Sequence, residues 1–197
     1  EGKLISLRQY RDAMPPDQKE IYFLTAESLA QARQSPQLEA FRKRQLDVLF
    51  FADPIDAWIL DQLAEYDGCK LRAINHGEID LGSETEQAEA KKQREAADQR
   101  FRPLLDWLKA SLSDDVKDVR LSSRLTDSAC CLVADEQALN PGMLRMMEAM
   151  GQEVPKQKRT LELNASHPLL VLLLERFPSE RDDEAFAAEA GLLLDLA

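Results

Sequence analysis

Histidine and cysteine are scarce in this sequence, with two and three residues, and neither supports the usual site chemistries. Cys130 and Cys131 are adjacent and Cys69 stands apart, so no Cys/His spacing of a zinc site is present. An odd cysteine count is also a poor disulfide framework, and reduced thiols in a cytoplasmic setting are the expectation. Basic charge is short as well. The 25 Lys and Arg stand against 36 Asp and Glu, a formal net charge of −11. That balance speaks against nucleic acid bound by phosphate neutralisation and against docking on an anionic membrane. The longest apolar runs, Ala129 to Ala134 and Leu169 to Leu174, fall far below the roughly 18–20 residues of a spanning helix. Seven Gly and nine Pro are too few for a linker-like or collagen-like chain. No signal peptide or basic transit segment is visible.

What remains is a globular composition: 197 residues, 44% apolar and 31% charged, enough for one or two domains. The first residue is Glu1 rather than Met, and the last residues lie inside an apolar helical pattern. A fragment of a longer protein is the expectation.

Residues 1–82 alternate strand and helix signals. Ile21–Leu24, Val48–Phe51 and Lys70–Asn75 read as strands. Between them, Ser28–Gln34 and Pro36–Gln45 read as helices, the second capped by Ser35. Asp53-Pro54 then opens a helix carrying Ile55, Trp58, Ile59 and Leu63, with Gly68 as a left-handed stop. The order β-α-β-α-β predicts a small three-stranded parallel αβα subdomain. A polar stretch follows. Residues 84–102 carry five acids and five bases, as in a solvated helix or a linker, and the boundary is placed near residue 83. Residues 83–197 predict a mixed α+β domain. It has an amphipathic helix around Phe101–Leu112, strands at 116–122, 129–134 and 160–163, and a Met-rich helix over 143–150. Apolar helices then begin at Pro168 and at Ser179. The fold class is thus α/β followed by α+β, ending in an amphipathic helix.

Catalytic signals are weak. His167 sits at a helix start, where bonding to the loop is the simple reading, and His76 reads as an exposed turn residue. Cys130 and Cys131 lie in an apolar strand and are expected to be buried and inert. The turn after the first strand, Thr25-Ala-Glu-Ser28, has no glycine and carries an acid, which argues against a phosphate site. No catalytic residue and no metal site is assigned.

Apolar surface chemistry is better represented. Leu139, Met143, Met146, Met147 and Met150 recur at helical spacing. They read either as a core stripe or as an adaptable binding face, since Met suits surfaces that accept many partners. Trp58 is open in the same way, as core or as an exposed anchor. The last helix places Phe186, Ala190, Leu193, Leu194 and Ala197 on one face, more apolar surface than a small domain easily covers, and pairing across a symmetric dimer is one solution.

Several stretches resemble the ninety-kilodalton heat-shock protein chaperones of the bacterial HtpG type. They are Gln18–Ser28, Ser35–Ala40, Asp47–Asp56, Asp67–Leu71, Val119–Val133 and Leu161–Pro168. The resemblance implies that residues 1–82 are the last αβα part of a middle domain and that 83–197 are the dimerisation domain, short of its final helix. It implies client binding at Trp58, Leu139, Met143, Met146 and Met147, with Ala57 where relatives often carry Glu. It also implies a homodimer through Phe186, Ala190, Leu193, Leu194 and Ala197. ATP and Mg would belong to an N-terminal domain outside this chain, so the fragment itself needs no cofactor and is not expected to be an enzyme. The partners implied are unfolded or partly folded clients. Two other readings stand beside this one: a purely structural dimerisation module, and an enzyme using Cys130 or Cys131.

Overall fold

The computed structural model describes residues 4–53, 55–79, 81–82, 84–136, 138–139, 141–152, 157–180 and 183–197. The chain divides into two compact units, residues 1–76 with 136–156 and residues 77–135 with 157–197. The Met-rich segment therefore groups with the first unit, although it follows the expected boundary near 83 by more than fifty residues.

The first unit contains α1 (Leu7–Ala13), β1 (Glu20–Thr25), α2 (Leu29–Gln34), a 3₁₀ turn (Pro36–Leu38), α3 (Glu39–Lys43), β2 (Leu49–Phe51), α4 (Asp56–Gln62), β3 (Glu65–Tyr66) and β4 (Cys69–Ala73). It also contains α6 (Pro141–Ala149) from later in the chain. Its sheet has the order β2-β1-β4-β3. The expected parallel strands are β2, β1 and β4, and β3 adds a fourth, antiparallel member. The hairpin turn between β3 and β4 explains the addition. Asp67 and Gly68 both take positive φ, +49° and +75°, as a two-residue type I′ turn requires. Gly68 therefore turns a hairpin and does not cap a helix, and α4 ends six residues earlier. The helix α1 is an addition to the sequence reading. It starts with a reciprocal capping box in which Ser6 Oγ accepts the Gln9 N–H and Gln9 Oε1 accepts the Ser6 N–H. Its buried Tyr10 donates to the Asp47 carbonyl at 2.6 Å and accepts from Gln18 Nε2 and from the Tyr22 N–H. Tyr10 thereby ties α1 to the central strand. Tyr22 meets Phe41 edge-on with ring centroids 4.9 Å apart, closing the core beneath α3.

The second unit is built from α5 (Glu84–Ser111), β5 (Val116–Leu121), β6 (Cys130–Val133), β7 (Arg159–Leu163), α7 (Pro168–Glu180) and α8 (Glu184–Leu196). The balanced charge run is helical, and α5 continues through Pro103. The sheet order is β5-β7-β6, parallel on one side of β7 and antiparallel on the other. Its alternation separates two faces. Leu161, Leu163 and Cys130 enter the main core with Leu104, Leu108, Leu170, Leu173 and Phe186. Cys131, Val133 and Leu125 form a smaller cluster of their own. Pro178 does not end α7, which runs on to Glu180. The start of α8 is capped by Asp183, whose carboxylate accepts the Ala185 N–H. The helix that the sequence places from Ser179 thus begins at Glu184, and residues 181 and 182 lie outside the described residues.

Candidate functional site

The site is built on two short helices of the first unit. In α4 and the residue before it, Ile55, Trp58 and Ile59 recur at i, i+3 and i+4 and are 61%, 52% and 47% exposed. Single exposed apolar side chains are ordinary, but three together on a seven-residue helix and the residue before it form an apolar stripe in water. The helix is not capped by Asp53 as expected. The Asp56 carboxylate instead accepts the Asp53 N–H at 2.9 Å, and Pro54 lies outside the described residues.

The helix α6 packs against α4. Trp58 and the methionines, about 85 positions apart in sequence, thus lie on neighbouring helices. Met143 and Met147 are half-buried, and Leu139 and Met150 are exposed. Met146 is on α6, but its side chain lies outside the described residues. A cavity of about 370 Å³ opens beside the two helices, with Leu60, Leu71, Ala73, Leu139 and Met143 among its walls. Its polar wall includes Arg72, His76 and Glu136. Arg72 Nη1 donates to Glu136 Oε1 at 2.5 Å, a bond that holds this carboxyl below its usual range. His76, expected to be exposed, is half-buried on the cavity wall.

The face of α8 that the sequence offered for a dimer is mostly turned inward. Phe186, Ala190 and Leu193 are buried in the unit's own core, with Leu194 and Ala197 packed against it. The reason is aromatic. Phe186 stacks at 5.4 Å from Trp107 and 6.4 Å from Phe177, so α5 and α7 already cover it. The large apolar residues that α8 leaves exposed are Leu192 and Leu196, an i, i+4 pair. Exposed Leu172 on α7 adds to the apolar surface of this unit.

All three thiols are buried, as expected for Cys130 and Cys131. Cys130 donates to the Leu193 carbonyl at 3.1 Å, and burial pushes its pKa up to about 11. A thiol so protonated is a poor nucleophile. His167 accepts the Leu169 N–H on Nδ1, the simple role expected of it.

Sequence reading missed a polar cluster in the second unit. Glu162 on β7 is buried and receives Arg124 Nε at 2.9 Å, Arg120 Nη2 at 2.8 Å and Ser122 Oγ at 2.7 Å. Arg124 and Arg120 also donate to the Gly77 carbonyl. Glu78 pairs with both Arg120 and Arg94. The segment Gly77–Glu78 is thereby tied to the sheet. The available signal was Glu162, an acid set between Leu161 and Leu163 in a strand.

The family model described as Hsp90 protein matches residues 1–197. The chain is 46% identical over its whole length to the chaperone protein HtpG of Geobacter metallireducens and 45% identical to that of Geobacter sulfurreducens. It is 42% identical to that of Frankia casuarinae over 98% of the chain. In each case it spans about 30% of the relative's length. By class these relatives are chaperone proteins. The chain belongs to the Hsp90 family and is of the bacterial HtpG type. No helix among the described residues is long and apolar enough to cross a membrane.

Proposed function

We propose that this chain supplies client binding and homodimerisation to an HtpG-type chaperone. The observation that carries the client reading is the packing of α4 against α6. It sets the helix of exposed Trp58 and Ile59 against the helix of Met143 and Met147 in the first unit, with Leu139 and Met143 on the wall of an open cavity. Met and Trp offer such area without demanding a particular partner sequence. Dimerisation is assigned to the exposed edge of α8, Leu192 and Leu196, because Phe186, Ala190 and Leu193 are occupied within the chain. ATP turnover is assigned to the rest of the longer family members. The turn after β1 has no glycine to let backbone N–H groups converge on a phosphate.

The test is a heteronuclear NMR titration with a destabilised, partly unfolded protein, with light scattering on the same sample. Shifts at Trp58, Leu139, Met143 and Met147 are expected. Absence of shifts in a sample shown to be dimeric would sink the client reading and leave the purely structural module.

A further inference from the structure

The client reading leaves open which unfolded segments the surface prefers, and the charge around α4 points to an answer. Between Arg44 and Lys70 the sequence has six acids, at 47, 53, 56, 61, 65 and 67, and no Lys or Arg. The apolar stripe Ile55, Trp58, Ile59 lies inside that interval, with Asp53 and Asp56 at the start of its helix. The Asp53 side chain is exposed. Asp67, one of the six, pairs with Arg11 at 3.7 Å, and the acids next to the stripe in sequence, Asp53 and Asp56, carry the argument.

We propose that this surface selects unfolded segments in which an apolar core is flanked by Lys or Arg, and disfavours those flanked by Asp or Glu. The inference rests on the client reading above and adds its charge selectivity. Physically, the apolar stripe provides sequence-tolerant area, while the carboxylates beside it reward cationic flanks and repel anionic ones. Exposed pairs of this kind are each worth little, so the preference comes from several acids acting together and is screened by salt.

Three fluorescent peptides share one apolar octamer core and differ only in their flanks: Lys-Lys, Ser-Ser or Glu-Glu at each end. Affinities for the full chain are measured by anisotropy at low and at high ionic strength. The Lys-flanked peptide is expected to bind about three- to tenfold more tightly than the Ser-flanked one at low salt, and the Glu-flanked peptide more weakly than both. The spread is expected to shrink as the Debye length falls below about 8 Å. The variant Asp53→Asn/Asp56→Asn removes two charges, and the amide oxygen it places on the first turn of α4 can still accept the Asp53 backbone bond. It is expected to halve the spread or more. A control, Glu175→Gln/Asp195→Asn, removes two exposed charges from the second unit and is expected to leave the spread intact. Equal affinities for the three peptides would overturn the selectivity while leaving the client reading standing. So would equal effects of the two variants, which would assign the preference to net charge. Failure of all three peptides to bind would overturn both.

Discussion

Glu162 and Arg124 form an ion pair at 2.9 Å in which the side chains are 2% and 1% exposed. Glu162 also faces Arg120 directly across the β5–β7 ladder, so one buried carboxylate answers two guanidinium groups. Such a cluster is held by geometry rather than by net Coulomb gain, because desolvation offsets most of the attraction. Removing one partner is another matter, since it leaves a charge buried without its match. Arg124→Met and Glu162→Leu, taken singly, are each expected to cost about 3–5 kcal/mol. The double variant is expected to cost less than the sum, because the fully buried Arg124 is then gone with its carboxylate and the part-exposed Arg120 keeps Glu78. Urea unfolding of the four proteins measures the coupling. Additive losses would show that the pair does not act as a unit.

The inward and outward faces of α8 predict opposite behaviour. Phe186→Ala removes a fully buried ring from between Trp107 and Phe177 and is expected to destabilise the second unit by about 3–5 kcal/mol. Leu192→Ser/Leu196→Ser touches exposed side chains and is expected to leave the unfolding midpoint nearly unchanged, within about 0.5 kcal/mol per site. The same pair is expected to weaken self-association, read as mass by light scattering across a dilution series. Unchanged mass would remove α8 from the interface.

Local signals are legible where a residue type has one strong local consequence. Short apolar runs mark the strands at Ile21, Phe50 and Cys130, alternation marks the one at Val119, and a helical period marks the apolar helices. Punctuation misleads where two structures share a signal. Gly68 serves a hairpin as well as a helix end, and only pairing of Tyr66 with Cys69 decides between them. Pro178 sits inside α7 because packing outweighs its local cost. The stripe on α8 is visible as a stripe, but spacing alone cannot tell whether it packs against its own domain or a partner. The Glu162 cluster joins Gly77, Arg120, Arg124 and Glu162, residues up to 85 positions apart, and no periodicity reports such a meeting. The grouping of Trp58 with Met143 came from family resemblance, since the residues between them contain most of another unit.

Cys130 gives a pH prediction. Its folded pKa, about 11, lies above the usual thiol value of 9.0 because the sulfur is buried. Between these values the unfolded chain has released the proton and the folded chain has kept it. Folding stability therefore falls as pH rises from about 9 toward 11, and is unaffected by this group below about 8. Cys130→Ala is expected to flatten that alkaline slope in urea unfolding series. In the native wild-type protein at pH 8, iodoacetamide is expected to modify Cys130 only at the rate of unfolding. Rapid labelling of Cys130 in the native state would revive the reading of that cysteine as a reactive group.

Trp58 and the methionines of α6 separate binding from stability by their different burial. Trp58→Ser changes a side chain that is half in water and is expected to alter thermal unfolding little, yet to weaken binding of an unfolded client about tenfold or more, as loss of an aromatic anchor does. Met143→Ser/Met147→Ser is harsher. Both side chains are half-buried, Met143 lines the cavity, and α6 packs on α4, so the pair is expected to cost about 1–3 kcal/mol as well as binding. Met143→Leu/Met147→Leu keeps the apolar area with less adaptability. It is expected to hold the fold and to narrow the range of clients bound, because branched side chains conform less readily to varied partners. Circular dichroism and calorimetry follow the fold, and anisotropy with several unrelated unfolded proteins follows the range. If the Leu pair binds every client as the parent does, adaptability of Met is not what this surface uses. If Trp58→Ser unfolds the first unit instead, Trp58 is a structural residue and the client surface must be sought elsewhere.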